Sequence, residues 1–322
     1  MMAITKNYSS GNYQGVGDKY TPNQYEELGN AIGKIAEQVL RGVSAEDKLS
    51  VFDKKPVDNG DTIEQAVVKL VEGKDYDRTG AHTLDRDTTE KLAVSYFKNW
   101  TPATYKTTID KSEIRKILET GKGVEEVADK LVGTLSESEK YDKYSMLKDL
   151  LAWGKTSADG GTGDVFVKLG DVGVKDGATD YKGILKLLKN TVKGMQYVST
   201  KYNKAGIKQR SFADDIVIIA PYQLITNTDV DDLAGVFNLD KAEVRGRIIE
   251  IDVDDTKGTA SNPNYNFVYI LDKWSVLSYT RLYEMDNQKN AEGRFWNYYL
   301  QTDRLYALSK LFNGAYFKYL VG

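Results

Sequence analysis

The sequence predicts an α+β fold organised on one long helix, and three observations carry that reading. Val124, Val127, Ala128, Leu131, Val132 and Leu135 recur at helical spacing, and Tyr141, Met146, Leu147, Leu150 and Leu151 continue the stripe until Gly154 stops it. Segments on both sides alternate apolar with polar residues and are rich in β-branched and aromatic side chains, as half-buried strands are. Between them lies a unit in which a lysine-faced amphipathic helix precedes the apolar run Asp215 to Ala220, read as a buried strand.

The elements follow in order. Residues 1–53 form an N-terminal arm, a Ser/Gly/Asn/Tyr-rich tail followed by a helical pattern from Asn23 to Arg41 that Gly42 ends. Such an arm buries little by itself and needs another surface to order it. Residues 54–110 read as an extended loop. Thr62 to Val71 goes out, a polar tip rich in Asp, Thr and Arg follows, and Ala93 to Trp100 with Thr104 to Ile109 returns. A two-stranded ribbon of this kind is marginal in water without a surface to lie on. The spine helix spans 123–153, a rod of about 45 Å at 1.5 Å per residue.

The Gly/Asp-rich stretch from Ala158 to Ala178 reads as a loop and a boundary. A second helix starts near Asp180, with Tyr181, Ile184, Leu185, Leu188, Val192 and Met195 on one face and Lys182, Lys186, Lys189 and Lys193 opposite. Asp229 and Asp240 cap two short helices, ending near Phe237 and at Gly246, and Arg247 to Asp252 is a strand. Asn266 to Glu284 and Arg294 to Thr302 alternate as β-structure, and a last helix is expected around Leu305 to Phe312.

Composition narrows the chemistry. The 322 residues are 41% hydrophobic, enough for one large core or two modest ones. There is no cysteine, hence no disulfide and no thiolate for catalysis or zinc. The first residues are too polar for a secretory leader, with Lys6 and Asn7 where an apolar stretch would stand, and no apolar run is long enough to span a bilayer. A soluble protein made where it acts is expected. The net charge is -3, without the basic excess of a protein that grips phosphates. The 22 tyrosines suit either an aromatic core or large contact surfaces with polar tips.

No catalytic constellation emerges. His82 is the single histidine, set in the polar loop tip, so a nucleophile paired with histidine has no partner. Gly154-Lys155-Thr156 resembles the end of a phosphate-binding loop, but Asp149 stands where the motif needs glycine and a helix precedes it instead of a strand. Asp252, Asp254 and Asp255 are read as a solvated turn, because the glycine and terminal glutamate of a calcium loop are absent. The lysines between Lys182 and Arg210 fall on the polar side of a helix and read as a solvated face. Neither cofactor nor metal is expected.

Several segments together resemble a known family. They are Asp61-Thr62-Ile63-Glu64 with Tyr76-Asp77, Tyr141 to Met146 on the spine, Arg210-Ser211-Phe212, Asp215 to Ile219, Asp229 to Asn238, Ile251-Asp252 and Gly293 to Tyr299. In this order, across roughly 55 to 318, the chain resembles the major head proteins of small short-tailed phages, with the Hong Kong 97-like phage capsid fold. The resemblance implies a peripheral domain from 111–179 and 266–322, an axial domain from 180–265, and an extended loop lying over a neighbouring subunit.

It further implies that copies of the chain form pentamers and hexamers. These would close into an icosahedral shell around double-stranded DNA, with portal and possibly scaffolding proteins as partners and no membrane. The chain would reside in the virion, after assembly in the host cytoplasm, and would not be an enzyme. Intersubunit contacts are expected at Thr62, Ile63, Glu64, Trp100 and Tyr105 on the loop, at Asp229, Asp231 and Asp232 on the axial domain, and at Arg294, Trp296 and Tyr298 on the peripheral domain. The immunoglobulin-like domain of some relatives is expected to be absent, and the shell is expected to be noncovalent. An encapsulin-like cargo compartment and a carbohydrate-active enzyme using two carboxylates stand as alternatives.

Overall fold

A computed structural model describes residues 44–57, 60, 62–73, 78, 90–110, 121–175, 178–226, 248–252, 265–293 and 295–320. Among them the chain divides into two compact units. One contains Thr107–Thr134 and Asn287–Tyr298, the other Ser44–Lys106, Leu135–Asp286 and Tyr299–Gly322.

The larger unit is built on a mixed sheet. Its strands are β4 (Val167–Val172), β7 (Ile216–Pro221), β8 (Ile248–Ile251), β9 (Tyr265–Asp272) and β12 (Gly314–Leu320), in the order β4-β12-β9-β7-β8. β9 runs antiparallel to both its neighbours, whereas β12 with β4 and β7 with β8 run parallel. Every residue of β7 is buried, the mark of a strand covered on both faces.

One face is covered by helix α2 (Tyr181–Met195). Its Ile184, Leu188, Val192 and Met195 pack with Ile216, Ile218, Val268, Ile270 and Phe317. The Asp180 carboxylate accepts from the Gly183 N–H at 3.0 Å and caps the helix start, as its sequence position predicts. The other face is covered by the end of the spine helix α1 (Gly121–Trp153) through Leu147 and Leu151 and by Leu49 and Phe52, against Val217, Ile219, Leu271 and Tyr316.

α1 matches the expected spine closely, but its buried face differs from the expected stripe. The buried positions are Leu135, Glu139, Lys143, Leu147 and Leu151, a strict four-residue spacing. Tyr141 and Met146, placed on the apolar stripe by pattern, are exposed at 64% and 41%. Two charged residues take their places in the buried row. Glu139 pairs with Arg304 at 2.6 Å, and Lys143 with Asp47 at 2.5 Å and with Asp53.

The remaining strands are β1 (Ile63–Val68), β2 (Leu92–Phe97), β3 (Trp100–Ile109), β10 (Val276–Asn290) and β11 (Phe295–Leu308). β1 and β2 form a sheet of their own, while β3 joins another in the order β10-β11-β3. A short hairpin of β5 (Val174–Lys175) and β6 (Ala178–Thr179) leads to α2.

Four expectations are corrected. Leu305 to Phe312 is not a helix: β11 runs to Leu308, and a turn follows in which Ser309 N–H donates to Ser275 O and Asn313 O accepts from Asp272 N–H. The stretch read as one loop from Ala158 to Ala178 contains β4, an edge strand of the main sheet. The returning arm of the extended loop is two strands in two sheets, broken at Lys98 and Asn99. Lastly, the end of the expected arm contributes to the core through two side chains, Leu49 and Phe52, which are fully buried. The expected helices at Asn23–Arg41 and after Asp229 and Asp240 lie outside the described residues.

Candidate interaction surfaces

No side chain of the β1–β2 ribbon is fully buried, and the face that carries Ile63, Gln65, Val67 and Phe97 is half-buried. Its antiparallel register pairs Ile63 with Phe97, Glu64 with Tyr96, Ala66 with Val94 and Val68 with Leu92. Because side chains alternate between faces, Ala66, Val68, Leu92, Val94 and Tyr96 share one face with Glu64. Val68 is 74% exposed and Tyr96 62%. Leu70 and Val71 continue the exposed apolar stretch beyond the strand. An apolar face of this length without cover marks a contact surface.

The ribbon does not stand clear of its own chain. Gln65 Nε2 donates to Trp274 O at 3.0 Å, and Lys208 pairs with Glu72 at 2.5 Å. Beneath its end lies a cavity of about 630 Å³, lined by Tyr96 to Asn99, Leu150, Trp153 and Leu305 to Leu308.

Of the loop residues singled out in the sequence, Thr62 and Glu64 are exposed and Ile63 is half-buried. Trp100 and Tyr105 are both half-buried and engaged within the chain. The Arg281 guanidinium lies 4.6 Å from the centre of the Trp100 ring. Burial, then a hydrogen bond to Asp142, push the Tyr105 hydroxyl well above its ordinary range. Tyr105 lines a smaller cavity of about 240 Å³ with Glu139, Lys143 and Arg304.

Trp296 and Tyr298 are half-buried on β11, with the Lys289 ammonium 5.8 Å from the centre of the Trp296 ring. Between them, Asn297 accepts from Thr108 at 2.7 Å. Asp229, Asp231, Asp232 and Arg294 lie outside the described residues, as do His82, Asp254 and Asp255. Asp252 accepts from Tyr144 at 2.5 Å and Lys148 at 3.1 Å, so it is tied to the spine helix. Lys182, Lys186, Lys189 and Lys193 are exposed, in keeping with a solvated face.

Sequence reasoning missed the polar anchor of the main sheet. Asp159 is buried where α1 has ended, and it accepts from Tyr316 at 2.8 Å, Lys318 at 2.9 Å and Lys168 at 3.0 Å. Burial by itself would raise the Asp159 pKa, but the hydrogen bonds from Lys318, Tyr316 and Lys168 outweigh it and hold the carboxyl well below its usual range. Its donors come from β4 and β12, strands more than a hundred residues apart in sequence, so no local pattern could reveal it. A helix-side lysine, Lys155, is buried with its ammonium 3.6 Å from the centre of the Phe267 ring, a packing role in place of a phosphate-binding one.

Comparison with known proteins accounts for this assembly of parts. The chain matches the family described as Phi29-like phage major capsid protein over residues 4–318. It is 24% identical over 310 residues to the major capsid protein of Bacillus phage GA-1, covering 93% of this chain and 61% of that one. It is 23% identical to the major capsid protein of Bacillus phage PZA, covering 91% of this chain and 63% of that protein. The chain thus spans less than two thirds of those two relatives. The major capsid protein of Streptococcus phage Cp-1 is 23% identical, with 90% of this chain and 81% of that one covered.

In three dimensions the chain resembles the capsid structure of Staphylococcus phage Andhra, with a TM-score of 0.69 at 12% identity over 89% of this chain and 87% of the other. It also resembles the capsid of cyanophage Pam1, with a TM-score of 0.55 at 8% identity over 97% and 99%. These likenesses establish the expected α+β, Hong Kong 97-like capsid fold. An exposed ribbon, a spine helix, a mixed sheet and a sequence match along nearly its whole length converge on one conclusion: this chain belongs to the Phi29-like phage major capsid protein family.

Proposed function

We propose that this chain is the structural subunit of an icosahedral phage head, assembling into pentamers and hexamers that close around double-stranded DNA. The observation that carries this reading is the β1–β2 ribbon, which half-buries one face on its own chain and exposes a row of apolar side chains, Val68, Leu92 and Tyr96, on the other. Laid over a second copy, that row would gain the cover its own chain does not provide. Thr62, Ile63 and Glu64 at the base of the ribbon would share in that contact. Trp100 and Tyr105 would offer a neighbour only the part of each ring its own chain leaves open. Trp296 and Tyr298 on β11 would form a second contact, with Arg294 beside them, and Asp229, Asp231 and Asp232 a third, in the axial region.

A net charge of -3 suits a shell whose lining lets DNA move instead of binding it tightly. The role is structural and not catalytic. Portal and scaffolding proteins would be its further partners, the bacterial cytoplasm its place of assembly and the virion its destination.

Electron microscopy of the purified protein tests the proposal. Closed shells or capsomers are the expected outcome. A strictly monomeric particle under all conditions rejects it, and shells that carry a cargo protein and no DNA favour a nanocompartment instead.

A further inference from the structure

Arg281, on β10, occupies an unusual position with respect to the ribbon. Its Nε and Nη2 donate to Asp303 Oδ2 on β11 at 2.9 and 2.5 Å, which fixes the plane of the guanidinium. Its Cζ lies 4.6 Å from the centre of the Trp100 ring, at the foot of the returning strand. Its Nη1 reaches Gly60 O at 3.5 Å, at the foot of the outgoing strand. One side chain therefore touches both places where the ribbon leaves the body.

Each foot also carries a break in the backbone. Before Gly60 the chain follows β10, with Lys54 N–H donating to Ser278 O and Val57 N–H to Thr280 O. Gly60 then takes a φ of +122°, a conformation that side-chain-bearing residues rarely adopt, with no atom near the position a Cβ would occupy. At the other foot, Trp100 N–H donates to Lys98 O at 3.0 Å, closing a tight turn that separates β2 from β3. β2 and β3 belong to different sheets, so no ladder of hydrogen bonds stiffens the joint.

We propose that Arg281 is a clasp holding both feet of the ribbon, with Gly60 and the Lys98–Trp100 turn as paired pivots about which the ribbon swings when the clasp opens. Asp303 acts through Arg281, as the group that sets its plane. Among the described residues the ribbon also meets the body through Gln65 with Trp274 O, through half-buried side chains such as Phe97 beside Leu150 and Leu305, and through the exposed pair Glu72–Lys208, and exposed pairs of that last kind hold weakly. Arg281 is the side chain that meets the ribbon at both feet at once, so its loss would loosen both ends together. This inference concerns motion within one chain and does not depend on the shell-building reading.

The absence of cysteine makes the test direct. Spin labels on A66C, on the ribbon, and K201C, on the body, report their separation by pulsed electron resonance. Labelled chains are diluted into excess unlabelled chain so that only pairs within one chain are read. A narrow distance distribution is expected for the otherwise unaltered chain. It should broaden in R281A, and broaden less in R281K, which keeps the charge but loses the plane that stacks on Trp100. W100L removes the stacking partner alone and should broaden it as well. An unchanged distribution in R281A overturns the clasp; where R281A does not fold, an unchanged distribution in W100L does so.

Discussion

Glu139 and Lys143 lie one helical turn apart on the buried face of α1 and answer two different partners, Arg304 on β11 and the Asp47–Asp53 pair on the segment before the ribbon. A stripe that would elsewhere be leucine instead ties the spine to two distant parts of the chain. Burial raises the Glu139 carboxyl pKa against the opposing pull of Arg304 and Lys143, so its charge depends on both partners staying in place.

K143A would leave the carboxylates of Asp47 and Asp53 without their buried cation. A loss of about 3 kcal/mol in unfolding free energy is expected, as for removing one partner of a buried pair. Trypsin should then cut after Lys54 faster than in the unaltered chain. Urea denaturation and limited proteolysis read the two effects separately.

For the Arg304–Glu139 pair, R304M alone should destabilise more than the double variant R304M/E139L. The double change removes both charges from the interior, whereas the single one strands a carboxylate. Denaturant unfolding of both singles and the double gives the coupling directly. A double variant as unstable as the sum of the singles contradicts the pairing.

Acid should unlock the sheet at Asp159. Its folded pKa lies below that of the unfolded chain, so its stabilising contribution is complete above the ordinary aspartate pKa of about 3.9 and fades as pH falls from there. Stability measured against pH should decline in that acidic range, and the decline should be shallower in D159N. D159N should also lose about 2 kcal/mol near neutral pH, where Lys168 and Lys318 forfeit their buried anion and keep only the more exposed Asp171.

The exposed face of the ribbon separates folding from assembly. V68K and L92D remove no buried contact and should leave unfolding free energy within about 0.5 kcal/mol of the original. Both should reduce the yield of closed particles in electron micrographs. Full assembly by both variants would place the contact surface elsewhere.

How much of this was legible in the sequence depended on whether the cause was local. The spine helix was readable because a long apolar period leaves its own record, and α2 because Asp180 both caps it and precedes a clean amphipathic face. The buried charges at Glu139 and Lys143 were not, because their partners stand on other elements and only the four-residue spacing from Leu135 to Leu151 hints at them. Leu305, Leu308 and Leu311 imitate a helical period, yet all three are buried by a strand and the turn that follows it. There tertiary pairing overrides local spacing. The ribbon was visible as an extended excursion, but its division at Lys98 and Asn99 follows from the partner of β3 in space. Arg281, touching both feet, left no trace in the pattern at all.

The place of β12 governs when this molecule can come into being. Gly314–Leu320 is inserted between β4 and β9, and its Tyr316 packs in the same cluster as Leu49 and Phe52 near the other end of the described chain. A nascent polypeptide emerging from the ribosome therefore holds a gap in the middle of its sheet until those residues appear, and contacts so distant in sequence form late. Chains released before those residues are made would lack an interior strand instead of an edge. Synthesis itself thereby acts as a checkpoint, withholding the native surface from any copy that stops short of β12.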